Sequence, residues 1–473
     1  MNSMIGDRDR DTICAVSTPP GVGGISVIRL SGPKALSLIR QAAPFLPSHL
    51  ESHRVYYGIF QQPRTQKSID EVLVTWFERG RSFTGEETAE ISCHGNPLIC
   101  RDILETLVEL GARPADRGEF TYRAFMNQRI DLVQAESVLA LIESRSSAAS
   151  RLALRQLQGE LSRRLSEIES DITWALAHIE ASIDFSTEGL EVVETQVLDA
   201  RLEKVETSLQ SLVASFQRGR VMKDGLRIAL SGRPNVGKSS LLNNFLEEDR
   251  AIVTEIAGTT RDVVEGETEI DGIRLVFLDT AGLRDADDRV ERLGIEKSRK
   301  AQAEADLVFF VFDATEGWQA ADEALASELD PKRTVLLANK SDLLSAETKR
   351  RLEERLASSV FFTSIPGKAI EKVFFVSALD KTTRYQVLHD LAGRFQAEQA
   401  ETSATLSSAR HYERLLKALG NVRLSREQVK AGLGSEFIAV DLKESLLAVQ
   451  ETLGKRFDDQ IMDRVFQEFC IGK

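Results

Sequence analysis

Residues 232–239 read G-R-P-N-V-G-K-S and have the residue types and spacing of a phosphate-binding loop. An apolar run at 226–230 precedes them, and a run with helical character follows at 239–245. Glycines at the first and sixth positions let the backbone wrap closely around a phosphate chain, so that successive N–H groups point at it. Lys238 would reach the β- and γ-phosphates, and the Ser239 hydroxyl would bind the Mg²⁺ that bridges them. The octet predicts a nucleoside triphosphate site.

Two later motifs predict that the base is guanine. Asn339-Lys340-Ser341-Asp342 follows an apolar run at 335–338, and its aspartate can accept hydrogen bonds from N1–H and the exocyclic amine of guanine. Adenine has no matching donors on that edge and would leave a carboxylate unpaired. Ser377-Ala378-Leu379 follows another apolar run and would cover the base with a backbone N–H.

The γ-phosphate end is predicted from residues between these motifs. Asp279-Thr280-Ala281-Gly282 supplies an aspartate for the Mg²⁺ shell and a glycine N–H for the γ-phosphate, and Thr259 or Thr260 would close on the metal. Leu283 stands where Ras-type GTPases carry a water-orienting glutamine. Because leucine cannot orient water, hydrolysis needs a polar group from elsewhere. Spacing does not choose among the acids that follow, and a solvated loop is the alternative for most of them: Asp285, Asp287, Asp288 and Glu291.

The composition bounds the class of protein. A chain of 473 residues with 42% hydrophobic residues has room for about three domains. No run approaches the roughly 20 apolar residues of a membrane span, and the first residues contain no apolar signal core. Four cysteines, Cys14, Cys93, Cys100 and Cys470, are too few for a disulfide framework. We expect a cytoplasmic protein that does not contact a membrane.

The net charge of −13 opposes broad binding to nucleic acid, because phosphate contacts are made by basic surface. An RNA substrate would need a local basic face or a partner protein that supplies one. Four arginines are one candidate patch: Arg113, Arg117, Arg123 and Arg129. Salt bridges to nearby acids are an equally good explanation for them.

Changes in periodicity divide the chain into four parts. Residues 1–120 mix short strands with helices, as in a small α+β domain. Residues 121–219 carry apolar residues every three or four positions, in one stripe from Leu154 to Ile183 and a second from Leu198 to Phe216. Residues 220–383 hold the nucleotide motifs, with Asp271-Gly272 as a hairpin turn, and 384–473 return to helix. The predicted fold is α/β plus α: a Ras-like GTPase domain inserted into a helical domain, after an α+β domain.

Several segments resemble the MnmE (TrmE) family of tRNA modification GTPases over essentially the whole chain. They are G-R-P-N-V-G-K-S-S, I-A-G-T-T-R-D, D-T-A-G-L-R, the N-terminal T-P-P-G-V-G-G-I, S-F-T-G-E-E and D-L-V-Q-A-E segments, and the final F-C-I-G-K, which is the most specific. The resemblance implies a K⁺ ion near the place of an arginine finger, held by the Asn235 side chain and by backbone oxygens of Thr254, Ile256 and Thr259. It also implies Thr260 as the second Mg²⁺ ligand and Glu291 as the catalytic glutamate, acting through a bridging water.

Motifs and resemblance together mark one set of GTP-binding residues. They are Asn235, Val236, Gly237, Lys238, Ser239, Ser240, Thr254, Glu255, Ile256, Ala257, Gly258, Thr259, Thr260, Asp279, Thr280, Ala281, Gly282, Asn339, Lys340, Ser341, Asp342, Ser377, Ala378 and Leu379.

For the N-terminal domain the resemblance implies a homodimer contact and a site for methylene-tetrahydrofolate, with 5-formyl-tetrahydrofolate as an analogue. Arg29, Glu90 and Arg129 match folate-contacting positions, and Lys473 would reach in from the C-terminus. Arginine at 129 stands where some members have lysine, which keeps the charge but changes its geometry. Asn96 replaces a glycine of the family's H-G-G-P signature and leaves the backbone conformation there open.

Cys470 lies four residues from the end but is not a prenylation signal, because C-I-G-K lacks the aliphatic pattern. The resemblance favours a catalytic cysteine with covalent or proton-transfer chemistry. The alternative is a small buried apolar side chain.

The resemblance implies a K⁺-stimulated GTPase that acts with a flavin-dependent partner similar to MnmG (GidA), in a heterotetramer. Together they would form the aminomethyl-type (carboxymethylaminomethyl) group at C5 of the wobble uridine of certain tRNAs, with glycine or ammonium as amine donor. One alternative is a ribosome-assembly or regulatory GTPase resembling Era or Der, although no KH-type G-x-x-G clamp stands in a suitable context. A second is a folate-binding enzyme that senses GTP.

Overall fold

The computed structural model describes residues 11–184, 194–246, 264–278, 299–357, 373–397, 404–456, 462 and 465–472. They fall into two compact units. The first takes its residues from Met1–Ile142, Arg155–Gln210 and Glu413–Lys473, and the second from Glu143–Leu154 and Ser211–Tyr412. None of the described helices is long and apolar enough to cross a lipid bilayer.

A six-stranded sheet of order β3-β4-β5-β2-β1-β6 lies in the first unit. Its strands are β1 (Ile13–Val16), β2 (Gly23–Ser31), β3 (Arg54–Gln62), β4 (Lys67–Phe77), β5 (Thr88–Gly95) and β6 (Arg113–Pro114). Neighbouring strands are antiparallel except β1 and β6. Apolar side chains that alternate along β2, β4 and β5 share one core with helices α1 (Ala35–Ala42) and α2 (Pro97–Glu109). The predicted α+β character is confirmed.

Further helices follow, and those whose bounds lie within the described residues are given next. They are α3 (Glu119–Met126), α4 (Leu132–Glu143), α5 (Ser147–Leu157), α6 (Glu160–Asp184), α7 (Thr195–Ala214), α8 (Phe216–Asp224), α9 (Lys238–Leu246), α10 (Ala320–Ala326), α11 (Ala346–Ala357), α12 (Lys381–Ala397), α13 (Ala409–Lys430) and α14 (Ser435–Leu453).

The long apolar stripe from Leu154 to Ile183 is divided between α5 and α6 in the structure. The chain leaves the helix at Gly159, whose φ of +80° favours glycine. α6 then packs lengthwise against α14, so the C-terminal helices do use the earlier helical segment as their partner. Ion pairs also join α7 to α13, where Arg426 contacts Asp199 and Glu206 at 2.9 and 2.7 Å.

The second unit contains a six-stranded sheet of order β12-β11-β10-β7-β9-β8. Its strands are β7 (Leu226–Ser231), β8 (Val264–Ile270), β9 (Ile273–Leu278), β10 (Leu307–Asp313), β11 (Thr334–Asn339) and β12 (Phe374–Phe375). All neighbours are parallel except the β8–β9 hairpin. Its turn residues Asp271 and Gly272 have φ of +51° and +82°, which confirms the predicted tight turn.

The order of the second sheet locates its ligand site. β7 lies between β9 and β10, so the chain leaves β7 toward one side first and toward the other side later. Ligands of open parallel sheets bind where the order reverses in this way, at the carboxyl ends of the strands. Residues 232–239 follow β7 at that point.

Candidate functional site

The phosphate-binding loop can only be built with glycine at two positions. Gly232 has φ of +129°, and a Cβ there would lie 2.0 Å from the backbone oxygen of Val311 on β10. Gly237 has φ of +94°, and its Cβ would lie 2.2 Å from the Asn339 side-chain nitrogen at the end of β11. Asn235, between them, also adopts a left-handed φ of +64°. The loop is thus pressed against two neighbouring strand ends, which leaves its backbone N–H groups as the surface offered to a ligand.

Lys238 lies within the loop at the first turn of α9. Its Nζ donates hydrogen bonds to the carbonyl oxygens of Gly232 and Arg233 at 2.8 and 2.7 Å. Burial lowers the pKa of Lys238 below its usual value. An anionic phosphate chain would favour the charged ammonium and offset that cost. Ser239 and Ser240 are exposed at the same helix N-terminus, where a helix favours anions.

The predicted guanine-recognition motif is joined directly to this loop. Asn339 is 2% exposed, and its side-chain nitrogen donates to the Val236 oxygen at 2.8 Å. Its Oδ1 is buried and has no hydrogen-bond partner among the described residues. Lys340 has φ of +61° and forms an ion pair with Asp313 at the end of β10. Asn339 therefore links the predicted base motif to the phosphate loop through a buried hydrogen bond.

The structure brings the two predicted base-contacting segments together. The Ser341 N–H donates to the Val376 oxygen at 3.1 Å, which places the turn of Asp342 beside the end of β12. Asn244 of α9 donates to the Ala378 oxygen at 2.9 Å. Asp342 and Leu379 both keep exposed side chains. An open edge with an aspartate and backbone N–H groups is the arrangement that a guanine requires.

Arg233 has a structural role that its motif did not reveal. Its Nε lies 2.7 Å from Oδ1 of Asp322, which is fully buried, and its other nitrogen lies 2.9 Å from Glu316. Asp322 also accepts a hydrogen bond from the Gln319 N–H at the start of α10. The guanidinium thus holds the loop to α10.

Many predicted residues of the γ-phosphate end lie outside the described residues, so their roles stay predictions. They are Thr254, Glu255, Ile256, Ala257, Gly258, Thr259, Thr260, Asp279, Thr280, Ala281, Gly282, Leu283, Asp285, Asp287, Asp288 and Glu291. The same holds for Lys473.

In the first unit, Arg29 and Glu90 are neighbours across β2 and β5. Two nitrogens of Arg29 donate to Glu90 Oε1 at 3.0 and 2.8 Å, and both side chains remain partly exposed. The Arg29 guanidinium lies 5.7 and 5.5 Å from the ring centres of Phe83 and Phe120. Sequence reasoning had not singled out either phenylalanine, although Phe83 belongs to the S-F-T-G-E-E segment.

Arg129 approaches the same loop from the turn that follows α3. A Cβ on Gly85 would lie 3.1 Å from Arg129 Cγ, so the arginine stem packs on the segment that carries Phe83. Its guanidinium end is exposed, and Arg129 has no ion-pair partner among the described residues. The predicted trio of Arg29, Glu90 and Arg129 therefore surrounds one loop.

Asn96 takes an ordinary extended conformation, with φ of −107° and ψ of 124°. Its side-chain oxygen accepts the Leu98 N–H at 2.9 Å, and Pro97 occupies the first helical position. This is a helix N-cap of α2, for which asparagine followed by proline is a good signal. The replacement of glycine therefore requires no unusual backbone.

The C-terminal segment is attached to the N-terminal sheet. Phe466 and Phe469 are buried with Phe125 and Leu132, and Arg117 forms a β-bridge with Ile471. Gly472 has φ of +90°, and a Cβ there would lie 2.1 Å from the Val16 oxygen. Cys470 is exposed, so the alternative of a buried apolar side chain is wrong. Its neighbour Phe469, at 1% exposure, takes the buried place instead.

The proposed arginine patch is largely an internal ion-pair network. Arg123 is 2% exposed and contacts Asp11, Glu86 and Glu119 at 2.6, 3.2 and 2.9 Å. Arg113 contacts Asp11 and Glu119, each at 2.6 Å. For these two arginines the salt-bridge explanation is confirmed. Arg117 and Arg129 alone of the four remain exposed.

A mostly parallel sheet with a glycine-dependent phosphate loop after β7, joined by Asn339 to the predicted guanine motif, has the features of a P-loop GTPase. A family model described as the MnmE helical domain matches residues 132–470, and one described as the GTP-binding protein TrmE N-terminus matches 12–129. The tRNA modification GTPase MnmE of Bdellovibrio bacteriovorus is 59% identical over 479 aligned residues, covering 100% of both chains. That of Natranaerobius thermophilus is 36% identical and covers 98% of this chain and 99% of its own.

Among solved structures, Era in complex with MgGDPNP and a segment of 16S ribosomal RNA matches 41% of this chain and 66% of its own, with 24% identity and a TM-score of 0.28. The family assignment rests on the full-length relatives. The chain belongs to the MnmE family, and it is a GTP hydrolase that binds GTP with Mg²⁺.

Proposed function

We propose that this protein is a K⁺-stimulated GTPase that, with a flavin-dependent partner resembling MnmG, forms the carboxymethylaminomethyl-type group at C5 of the wobble uridine of certain tRNAs. The methylene carbon would come from methylene-tetrahydrofolate. The observation that carries this proposal is the attachment of residues 469–472 of the F-C-I-G-K motif to the N-terminal sheet. It leaves an exposed Cys470 one residue from the Arg117–Ile471 bridge, in the unit that also holds Arg29 and Glu90. A GTPase switch alone has no need of that arrangement.

The loop supports the GTP half of the proposal. Backbone N–H groups between Gly232 and Gly237 and the Lys238 ammonium would neutralise charge that develops on the phosphates during hydrolysis. Asn235 is exposed on the loop and has an amide oxygen suited to a monovalent cation. A bound K⁺ supplies positive charge where other GTPases use an arginine finger. Arg233 is unsuited to that role, because Asp322 and Glu316 hold its guanidinium.

The N-terminal residues have the chemistry for a folate. The pterin ring offers N–H donors that a carboxylate such as Glu90 accepts, and the exposed Arg129 suits the glutamate tail of the folate. Phe83, beside Arg29, offers an aromatic surface for a planar ring. Cys470, which is exposed, would act on the folate-bound carbon or on its proton.

Exposed apolar side chains support a homodimer through the N-terminal sheet. Val55, Tyr57 and Ile59 alternate along the edge strand β3 with 53%, 66% and 42% exposure, and Leu73 pairs with Tyr57 from β4 at 42% exposure. Side chains that alternate share one face of the sheet. A contiguous exposed apolar patch is typical of an interaction surface. Two such subunits with two flavin-dependent partners would make the heterotetramer.

We further propose a cytoplasmic location. All four cysteines are free thiols in the structure, and Cys93 and Cys100 lie with their sulfur atoms 4.0 Å apart without a bond. Burial raises the pKa of Cys14 and of Cys93 to about 12, which keeps both thiols protonated and unreactive.

Mass spectrometry of wobble-uridine nucleosides tests the function. Cells that lack this protein should lose the carboxymethylaminomethyl-type nucleoside, and the wild-type gene should restore it. A Cys470→Ser gene should fail to restore it while the purified variant still hydrolyses GTP. If the nucleosides of the deletion strain are unchanged, the modification function is refuted, and a ribosome-assembly or regulatory GTPase becomes the better account.

A further inference from the structure

A polar cleft of about 740 Å³ lies in the first unit, away from the residues considered so far. It is formed by the start of α4, by the N-terminal half of α6 and by α7. Side chains that line it include Gln158, Ser162, Arg163, Ser166, Ser170 and Lys204. Three hydroxyls, two amides, two cations and three carboxylates line the cleft, so it suits a polar ligand.

The acids around this cleft already have partners. Asp171 contacts Arg201 and Lys204 at 3.0 and 2.9 Å. Glu167 contacts Arg164 at 3.0 Å, and Asp131 accepts the Gln134 N–H at the start of α4. Because these carboxylates are engaged, the cleft is poorly suited to a metal cation.

Arg163 has no such partner. It is exposed on α6, and no ion pair joins it to any residue in the described part of the chain. The Arg163 guanidinium is therefore available to an anionic group of a ligand.

Ser162 gives independent evidence for a ligand. It is 7% exposed, and its hydroxyl has no hydrogen-bond partner among the described residues. A buried hydroxyl without a partner destabilises a fold, and such a group calls for an explanation. A ligand acceptor in the cleft that Ser162 lines would provide the missing bond.

The donors are arranged in a row. Ser162, Ser166 and Ser170 are spaced four residues apart on α6, so they lie about 6 Å apart along one face of the helix. Trp174 continues the spacing, and its ring centre lies 3.9 Å from that of His178 and 4.3 Å from the Arg201 guanidinium. A row of regularly spaced hydroxyls beside a free cation fits a ligand with repeated acceptor groups.

We propose that this cleft binds the sugar–phosphate backbone of an RNA strand, which under the proposed function is the tRNA substrate. Arginine, serine and glutamine are side chains that position nucleic acid through phosphate and sugar oxygens. The site also bears on the conflict between an RNA substrate and a net charge of −13, because Asp171 and Glu167 are each paired with a cation and the Arg163 guanidinium is left for a phosphate.

Binding of unmodified tRNA to the full-length protein tests the proposal, measured by fluorescence anisotropy over a series of salt concentrations. Arg163→Gln should weaken binding about tenfold and reduce the slope of log affinity against log salt by about 1. Ser166→Glu, which adds negative charge to an exposed position of the row, should weaken binding further. Ser162→Ala should weaken binding without loss of thermal stability, because its hydroxyl has no partner to lose among the residues that the structure describes.

Arg101→Gln is the matched control. Arg101 is an exposed arginine of α2 in the same unit, and its replacement changes the net charge equally. It should leave both affinity and salt slope as in the wild type. All variants should hydrolyse GTP at the wild-type rate, which shows that they are folded.

Three outcomes would overturn the proposal. Wild-type affinity in Arg163→Gln and Ser166→Glu would remove the cleft from RNA binding and leave the proposed function standing, since the nucleoside test is separate. Intact tRNA binding with loss of the flavin-dependent partner on gel filtration would assign the cleft to a protein. Absence of tRNA binding by the wild type itself, together with an unchanged nucleoside in the deletion strain, would refute the proposed function as well.

Discussion

The phosphate loop and the N-terminal residues around Arg29 are constructed in different ways. The loop is a single stretch of eight residues whose glycines are pressed to within 2.0 and 2.2 Å of neighbouring strand ends, measured from an added Cβ. The N-terminal group draws on β2, β5, the 82–86 loop, α3 and the C-terminal segment. The loop depends on backbone conformation, whereas the N-terminal group depends on distant segments that hold charged side chains in place. A substitution that disrupts one of these two regions should therefore leave the activity of the other unchanged.

The largest effect is expected at the loop. Gly232→Ala places a methyl group 2.0 Å from the Val311 oxygen, so the loop must move. GTP turnover should fall about 100-fold or more, the equivalent of about 3 kcal/mol. Gly393→Ala, on α12 with open space around it, is the control and should turn over GTP normally. A steady-state phosphate-release assay compares the two, and near-normal turnover in Gly232→Ala would contradict the account of the loop.

A substitution that disrupts the C-terminal attachment should abolish the modification without changing the rate of GTP hydrolysis. Phe469→Ala removes a ring that is 1% exposed and should cost about 3–5 kcal/mol of local docking energy. The modified nucleoside should be lost while phosphate release stays at the wild-type rate. Phe469→Leu, which keeps most of the buried volume, should retain most modification. Equal loss of both activities in Phe469→Ala would show that the two regions are not separable.

Replacement of K⁺ by Na⁺ should lower GTP turnover about tenfold or more, while the affinity for GTP stays nearly unchanged, because the ion acts on charge that develops during hydrolysis. Asn235→Ala should remove most of the difference between the two salts. Glu291→Ala should slow hydrolysis in K⁺ without weakening nucleotide binding. Equal turnover of the wild type in both salts would rule out the Asn235 assignment.

The smallest expected effect is on the stability of the fold at acidic pH. Burial by itself would raise the pKa of Glu119, but hydrogen bonds from Arg113 and the charge of Arg123 outweigh it and hold the pKa below its ordinary value of 4.5. A lowered folded-state pKa stabilises the fold fully above pH 4.5, and this contribution is lost as the pH falls through the folded-state pKa.

Thermal unfolding from pH 7 to pH 3.5 should therefore show a steeper acid loss in the wild type than in Glu119→Gln. Glu51→Gln, which breaks an exposed ion pair with Arg54, should follow the wild-type curve. Identical pH profiles for the wild type and Glu119→Gln would show that the network stores no pH-dependent stability.

Local features were predictable from the order of residues. The Asp271-Gly272 turn, the glycines of the loop and the alternating strands of the first sheet depend on neighbours within a few positions, so the pattern alone indicates them. The guanine motif was recognisable because its four residues are consecutive. Asn96 was a missed local signal, since an asparagine before proline marks a helix start.

Only the tertiary structure decided which charged side chains are exposed and available to a ligand. Arg113, Arg117, Arg123 and Arg129 look alike in the sequence, but Arg123 is buried because Asp11 and Glu86 meet it from 112 and 37 residues away. In the same way, Cys470 is exposed and Phe469 is buried because the last residues contact α3 and β1. The sequence by itself determined the phosphate chemistry through backbone conformation; the fold determined the N-terminal group, because burial and pairing depend on residues far apart in the chain.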